Sequence, residues 1–171
     1  AALIVIPIRL YIAQPFIVSG ASMVPTFENG EYLIVDELSY RITEPSRGDV
    51  IIFKYPKEPS KYFIKRIIGL PGETVIIRGA SISIRNSEYP EGLVLDQSYI
   101  APERQSSDRI TVDLGEGEYF VMGDNRTASS DSRAWGALPR ENIVGRAFVR
   151  LFPLSQLDLN PGELTEEAAA L

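Results

Sequence analysis

Eight short runs of β-branched and aromatic residues recur along the 171-residue chain, each closed off by Gly, Pro, Asn or Asp, and this punctuation restricts the fold more than any other feature. They occupy residues 32–35, 50–53, 62–68, 74–78, 81–85, 109–114, 118–122 and 143–152. Branching at Cβ stiffens χ1 and suits the pleated surface of a strand better than a helix. Ser81-Ile-Ser-Ile-Arg85 and Arg109-Ile-Thr-Val-Asp-Leu114 alternate apolar with polar, the period of a half-buried strand. Runs at this spacing predict a mainly β protein whose antiparallel sheets form a barrel- or sandwich-like core with very little helix. Helix is confined to a turn or two over residues 36–41 and one turn over 139–142.

Texture divides the chain further. Residues 79–117 are rich in Ser, Glu, Pro and Tyr with weaker apolar runs, and read as a smaller β region inserted between core segments 15–78 and 118–153. After Pro153 the apolar pattern fades, so residues 154–171 read as a tail removable beyond about Leu159 without loss of fold or activity. Residues 1–14 form a membrane-proximal segment: eight mainly apolar residues precede Arg9, fewer than the about 20 a spanning helix needs. Two readings fit, the stub of a transmembrane anchor or an ordinary buried segment, and a start at Ala rather than Met favours the stub.

Composition excludes much chemistry. The chain has no cysteine, which removes disulfides, thiolate zinc sites and thiol nucleophiles, and no histidine, which removes the Ser-His-Asp triad and the usual general base. Hydrolysis would therefore take its base from a carboxylate, a tyrosine or a desolvated lysine. The net charge of -6, with 13 Arg and 4 Lys scattered rather than clustered, argues against a nucleic-acid partner.

Three stretches stand out chemically. Ser19-Gly-Ala-Ser-Met-Val-Pro-Thr26 sets a hydroxyl, Ser22, between a glycine hinge and a proline turn; alone it is also the composition of a surface turn. Lys65 lies in the most apolar strand, beside Phe63, Ile64, Ile67 and Ile68, where it either faces water or is held neutral by desolvation. Residues 123–136 follow a strand and pack two Asp, two Arg, an Asn and three Ser between glycines, suited to a hydrogen-bonded scaffold with Trp135 anchored on the core. Asn125-Arg-Thr127 also matches a glycosylation sequon, a short pattern of high chance frequency.

Taken together these stretches resemble type I signal peptidases, the Ser-Lys proteases that release signal peptides from translocated preproteins. Four blocks carry the resemblance, in the family's order: Ser22-Met-Val-Pro-Thr26, Arg47-Gly-Asp-Val-Ile-Ile-Phe53, Lys65-Arg-Ile-Ile-Gly-Leu-Pro-Gly72, and Gly123-Asp-Asn-Arg with Ser129 and Asp131-Ser-Arg133. The resemblance implies Ser22 as nucleophile and Lys65 as general base. It implies that Ser129 hydrogen-bonds and orients the Lys65 amine, that Asp131 and Arg133 pair to brace the loop, and that the Ser22 backbone N–H holds the oxyanion. Many members carry a second, side-chain donor two residues before the nucleophile; here that position is Gly20.

The implied substrate is an extended segment with small residues first and third before the cut, added as a strand to a sheet edge. By position, its shallow apolar pockets would involve Phe16, Val18, Met23, Phe27, Leu33, Phe63 and Ile64. No cofactor or metal is implied. The partners are preprotein signal peptides and the lipid bilayer, with the catalytic domain on the trans (extracytoplasmic, periplasmic or lumenal) side of a bacterial plasma or thylakoid-type membrane. A self-cleaving repressor-type Ser-Lys protease is the rival enzyme, but it needs a DNA-binding domain ahead of the nucleophile, and 21 residues precede Ser22. A non-catalytic β-barrel binding module is the rival outside enzymes.

Overall fold

The computed structural model describes residues 13–164; the readings placed on residues 1–12 and on the end of the tail lie outside them. Twelve strands are present: β1 (Ala13–Ile17), β2 (Tyr32–Asp36), β3 (Val50–Tyr55), β4 (Glu58–Gly69), β5 (Thr74–Arg78), β6 (Ser81–Arg85), β7 (Leu93–Val94), β8 (Arg109–Asp113), β9 (Glu118–Met122), β10 (Leu138–Pro139), β11 (Ile143–Phe152) and β12 (Asp158–Leu159). One short α-helix, α1 (Ser132–Trp135), and five 3-10 turns complete the described residues. An eight-stranded sheet runs β1-β2-β11-β3-β4-β9-β10 with β12 on β11, and a four-stranded sheet runs β7-β6-β5-β8. Every pairing is antiparallel.

Burial follows the sequence pattern. In β5 and β6 the alternation puts Val75, Ile77, Ile82 and Ile84 on one buried face, which packs on Ile68, Phe120 and Met122 of the large sheet. Val50, Ile51, Ile52 and Phe53 of β3 are all buried because both faces of that strand are covered. Val50 and Ile52 join a cluster with Phe27, Leu33 and Ile64, whereas Ile51 and Phe53 pack with Ile67, Tyr119 and Val121. The lysine-bearing strand β4 thus lies in the middle of the large sheet, between β3 and β9.

Two expected boundaries move. β5, assigned by sequence to the core segment 15–78, belongs to the small sheet, because its partners β6 and β8 are its neighbours in that sheet. The chain leaves the large sheet at the Leu70-Pro-Gly-Glu73 turn, where Glu73 pairs with Arg47 at 2.7 Å and accepts from the Leu70 N–H at 2.9 Å.

Past Leu159 the tail still contacts the core. β12 pairs with β11, and the Gly162 carbonyl accepts from Arg66 Nη1 at 2.6 Å in the core. Truncation after Leu159 leaves that buried donor short of an acceptor, a loss of about 1–3 kcal/mol. Thermal unfolding should then fall by roughly 2–4 °C per kcal/mol for a chain of this size. An unchanged midpoint would mean that residues 160–164 add nothing to the core.

Candidate active site

The turn after β1 holds Ser22 with backbone contacts from a distant loop. Gly20 sits at φ +91°, a conformation that an L side chain adopts only with strain, and its N–H donates to Asn29 Oδ1 at 2.9 Å. The Val24 N–H closes the turn on the Ala21 carbonyl at 3.2 Å, and the Asn125 N–H donates to the Ser22 carbonyl at 3.0 Å. Gly123 underlies the turn so closely that a Cβ there would stand 2.4 Å from the Ser22 carbonyl oxygen and 2.3 Å from Ser129 Oγ. Only hydrogen fits between those groups.

Lys65 reaches this turn from β4. Its Nζ lies 2.7 Å from Ser22 Oγ and donates to the Ile64 carbonyl at 2.8 Å. The side chain is 4% exposed. Burial lowers the amine to about pKa 8, against the pull of the Asp131 and Asp124 carboxylates toward the charged form. A hydroxyl in contact with an amine whose neutral form is within reach near physiological pH has the chemistry to act as a nucleophile with its base.

Ser129 does not make the hydrogen bond to Lys65 that the resemblance implied. The lysine is oriented by the Ile64 carbonyl, and the Ser129 hydroxyl is buried beside Gly123 without a hydrogen-bond partner among the described residues. Its weak influence falls instead on Asp131. Arg133 grips Asp131 through Nε and Nη2, both at 2.8 Å, and the Gly123 N–H donates to the same carboxylate at 3.0 Å. Burial would push the Asp131 carboxyl up, but the hydrogen bonds and charge of Arg133 outweigh it and hold it below the usual range. Arg133 also bonds Asp108 and Ser106, tying the loop to the small-sheet region. Trp135 packs on Phe53 and Tyr55 and seats the other end of the loop.

A second brace starts from Arg66, the residue after Lys65 in β4. Arg66 Nε and Nη2 donate to Asp124 at 2.9 and 2.6 Å, and the Thr26 hydroxyl donates to Asp124 Oδ2 at 2.6 Å. Both charged side chains are 1% exposed.

A cleft of about 290 Å³ opens at the Ser22–Lys65 pair. Of the residues expected to line it, Phe16, Val18, Leu33, Phe63 and Ile64 do so. Met23 and Phe27 do not: they are 1% and 0% exposed and anchor the Ser22 turn in the core from beneath. Ile17, Ile52, Tyr62, Ala128 and Ser130 line the cleft and were not singled out by sequence. Tyr62 opens the apolar run of β4 and packs on Phe16 with ring centroids 5.4 Å apart, so its signal was present in the pattern. Among the described residues β1 terminates the large sheet with no strand on its outer edge, beside this cleft. Among the described residues no carbonyl accepts from the Ser22 N–H. Position 20 offers no side-chain donor, and its φ disfavours any residue that would supply one.

Comparison with known proteins agrees with this geometry. A family model described as signal peptidase, peptidase S26, matches residues 1–152. The chain is 40% identical over 166 residues to the signal peptidase I of Leptolyngbya laminosa, covering 90% of this chain and 76% of that one. It is 36% identical over 177 residues to the probable signal peptidase I-2 of Synechocystis sp., covering 100% and 78%, and 35% identical over 215 residues to the signal peptidase I of Aquifex aeolicus, covering 94% and 84%. With most of its length matched, this chain belongs to the signal peptidase family, peptidase S26.

Proposed function

We propose that this chain is a serine endopeptidase that removes signal peptides from preproteins, with Ser22 as nucleophile and Lys65 as general base. The observation that carries the roles is the 2.7 Å contact between a buried amine and the Ser22 hydroxyl at the floor of an apolar cleft. Neutral Lys65 takes the Ser22 proton as Oγ attacks the scissile carbonyl carbon. The negative oxygen so formed accepts from the Ser22 N–H. As the carbon–nitrogen bond breaks, the Lys65 ammonium protonates the leaving amine and an ester remains on Ser22. Water, deprotonated by Lys65, then hydrolyses that ester, releasing the signal-peptide carboxylate and restoring the hydroxyl.

Substrate lies as an added strand along the open edge of β1, and backbone pairing there is indifferent to side chains. Selectivity comes from the shallow walls of Phe16, Leu33, Ile52 and Ile64, which suit small residues at the first and third positions before the cut. The Asp131–Arg133 pair keeps the loop over the lysine in place, with Ser129 packed against Gly123 within it. The bilayer is the second partner, with the domain on the trans side. Ile17, Tyr32, Leu151, Phe152, Leu154 and Leu159 are exposed along β1, β2, the end of β11, the 3-10 turn after it and β12, and support an apolar rim resting on lipid. Among the described residues no helix is long and apolar enough to cross a membrane.

Ser22→Ala and Lys65→Ala should each lower kcat by roughly 10⁴-fold or more, since members of such a unit fail together. Mass spectrometry of preprotein cleavage products reads this, and near-normal turnover by either variant would refute the dyad. The rate also follows the neutral fraction of Lys65. It should climb about tenfold per pH unit below the inflection, which is expected at about pH 8, and level off above it. A flat profile from neutral to alkaline pH would show that Lys65 is not the base.

A further inference from the structure

Asn125 is buried and holds two consecutive carbonyls of the nucleophile turn. Its N–H donates to Ser22 O at 3.0 Å, and its side-chain Nδ2 donates to Ala21 O at 3.0 Å. The Thr127 hydroxyl donates to Asn125 Oδ1 at 3.3 Å, which selects the end of the carboxamide that faces Ala21. The Ala21 carbonyl and the Ser22 N–H belong to one peptide unit, planar and trans, so drawing the oxygen toward Asn125 turns the N–H the opposite way. Ala21 and Ser22 line the cleft and Asn125 does not, so Asn125 holds this peptide from outside the cleft. A hydrogen bond to the carbonyl of an amide also polarises it and strengthens its N–H as a donor.

We infer that Asn125 is a positioning residue for the oxyanion site: its carboxamide, acting through the Ala21–Ser22 peptide, aims the donor that binds the negative oxygen of the tetrahedral intermediate. The inference rests on Ser22 being the nucleophile. It matters more in this chain because Gly20 adds no side-chain donor beside the Ser22 N–H. Charge on that oxygen exists only near the transition state, so the effect belongs to kcat rather than KM.

The test is steady-state cleavage of a preprotein-derived peptide with Ala first and third before the cut. The proteins compared are the wild type and its Asn125→Ala, Asn125→Asp, Thr127→Val and Ser22→Ala variants, each with thermal unfolding measured alongside. Asn125→Ala should lower kcat about 10- to 100-fold, less than the loss of a whole oxyanion donor. KM and the pH inflection assigned to Lys65 should stay in place. Asn125→Asp fills the same space but sets a carboxylate against the Ala21 carbonyl, and should be slower still; a role in packing alone predicts the opposite order. Thr127→Val, at an exposed position, frees the carboxamide to turn over and should give a smaller loss of the same kind.

Wild-type kcat in folded Asn125→Ala, or an Asn125→Asp faster than Asn125→Ala, overturns the assignment. Should the Asn125 variants fail to fold, wild-type kcat in Thr127→Val overturns it. Turnover retained by Ser22→Ala removes the nucleophile and this assignment together, whereas loss there with wild-type kcat in Asn125→Ala removes the role of Asn125 alone.

Discussion

The bidentate pair between Arg66 and Asp124 is the interaction on which the rest of the structure depends. Burying either charge alone would be prohibitive, and the pair persists because its hydrogen-bonding capacity is used: Nε and Nη2 on the carboxylate, Nη1 on the Gly48 and Gly162 carbonyls, and the Thr26 hydroxyl on Asp124. Lys65 precedes Arg66 in β4, and Gly123 and Asn125 flank Asp124. One ion pair therefore sets the spacing between the strand that carries Lys65 and the loop that grips the Ser22 turn. Breaking a buried pair of this kind costs about 3–5 kcal/mol, a large part of the 5–15 kcal/mol typical of a folded domain. Stability and site geometry are not separable here.

The same arrangement explains how a lysine can serve as a base near two carboxylates. Asp131 and Asp124 both favour the ammonium form, yet burial wins and the amine falls from 10.5 to about 8. Each carboxylate already has an arginine in contact, Arg133 on one and Arg66 on the other, so the field reaching Lys65 is that of two matched pairs rather than two free anions. A histidine-free chain can thus bring an amine into the range of a base by removing water from it and neutralising the charges around it.

What was legible in the sequence was whatever has a local cause. The strands over residues 74–78, 81–85, 118–122 and 143–152 coincide with their apolar runs because branching and alternation act over neighbouring residues. β7, β10 and β12 span two residues each, too few to show any period. The four motif blocks pointed to the residues that meet at the cleft, but not to what lies beneath them. Met23 and Phe27 carry the same apolar signal as Phe16 and Leu33, and only packing separates an anchor below the turn from a wall of the cleft. Ser129 was named for a bond that the Ile64 carbonyl makes instead. Asn125 stood inside a recognised block, while its Nδ2 contact with Ala21 joins residues 104 positions apart.

By itself, then, the sequence determined the class of fold, the absence of a histidine base, and the pairing of a serine with a lysine in the order of a known family. These depend on residue chemistry and on contacts within a few positions along the chain. Tertiary structure decided which groups touch: Lys65 on Ser22 across 43 residues, Arg66 on Asp124 across 58, and Arg66 on Gly162 across 96. Such contacts depend on strand order and on the depth of burial. The amine of Lys65 is lowered toward neutrality only because the fold buries it away from water.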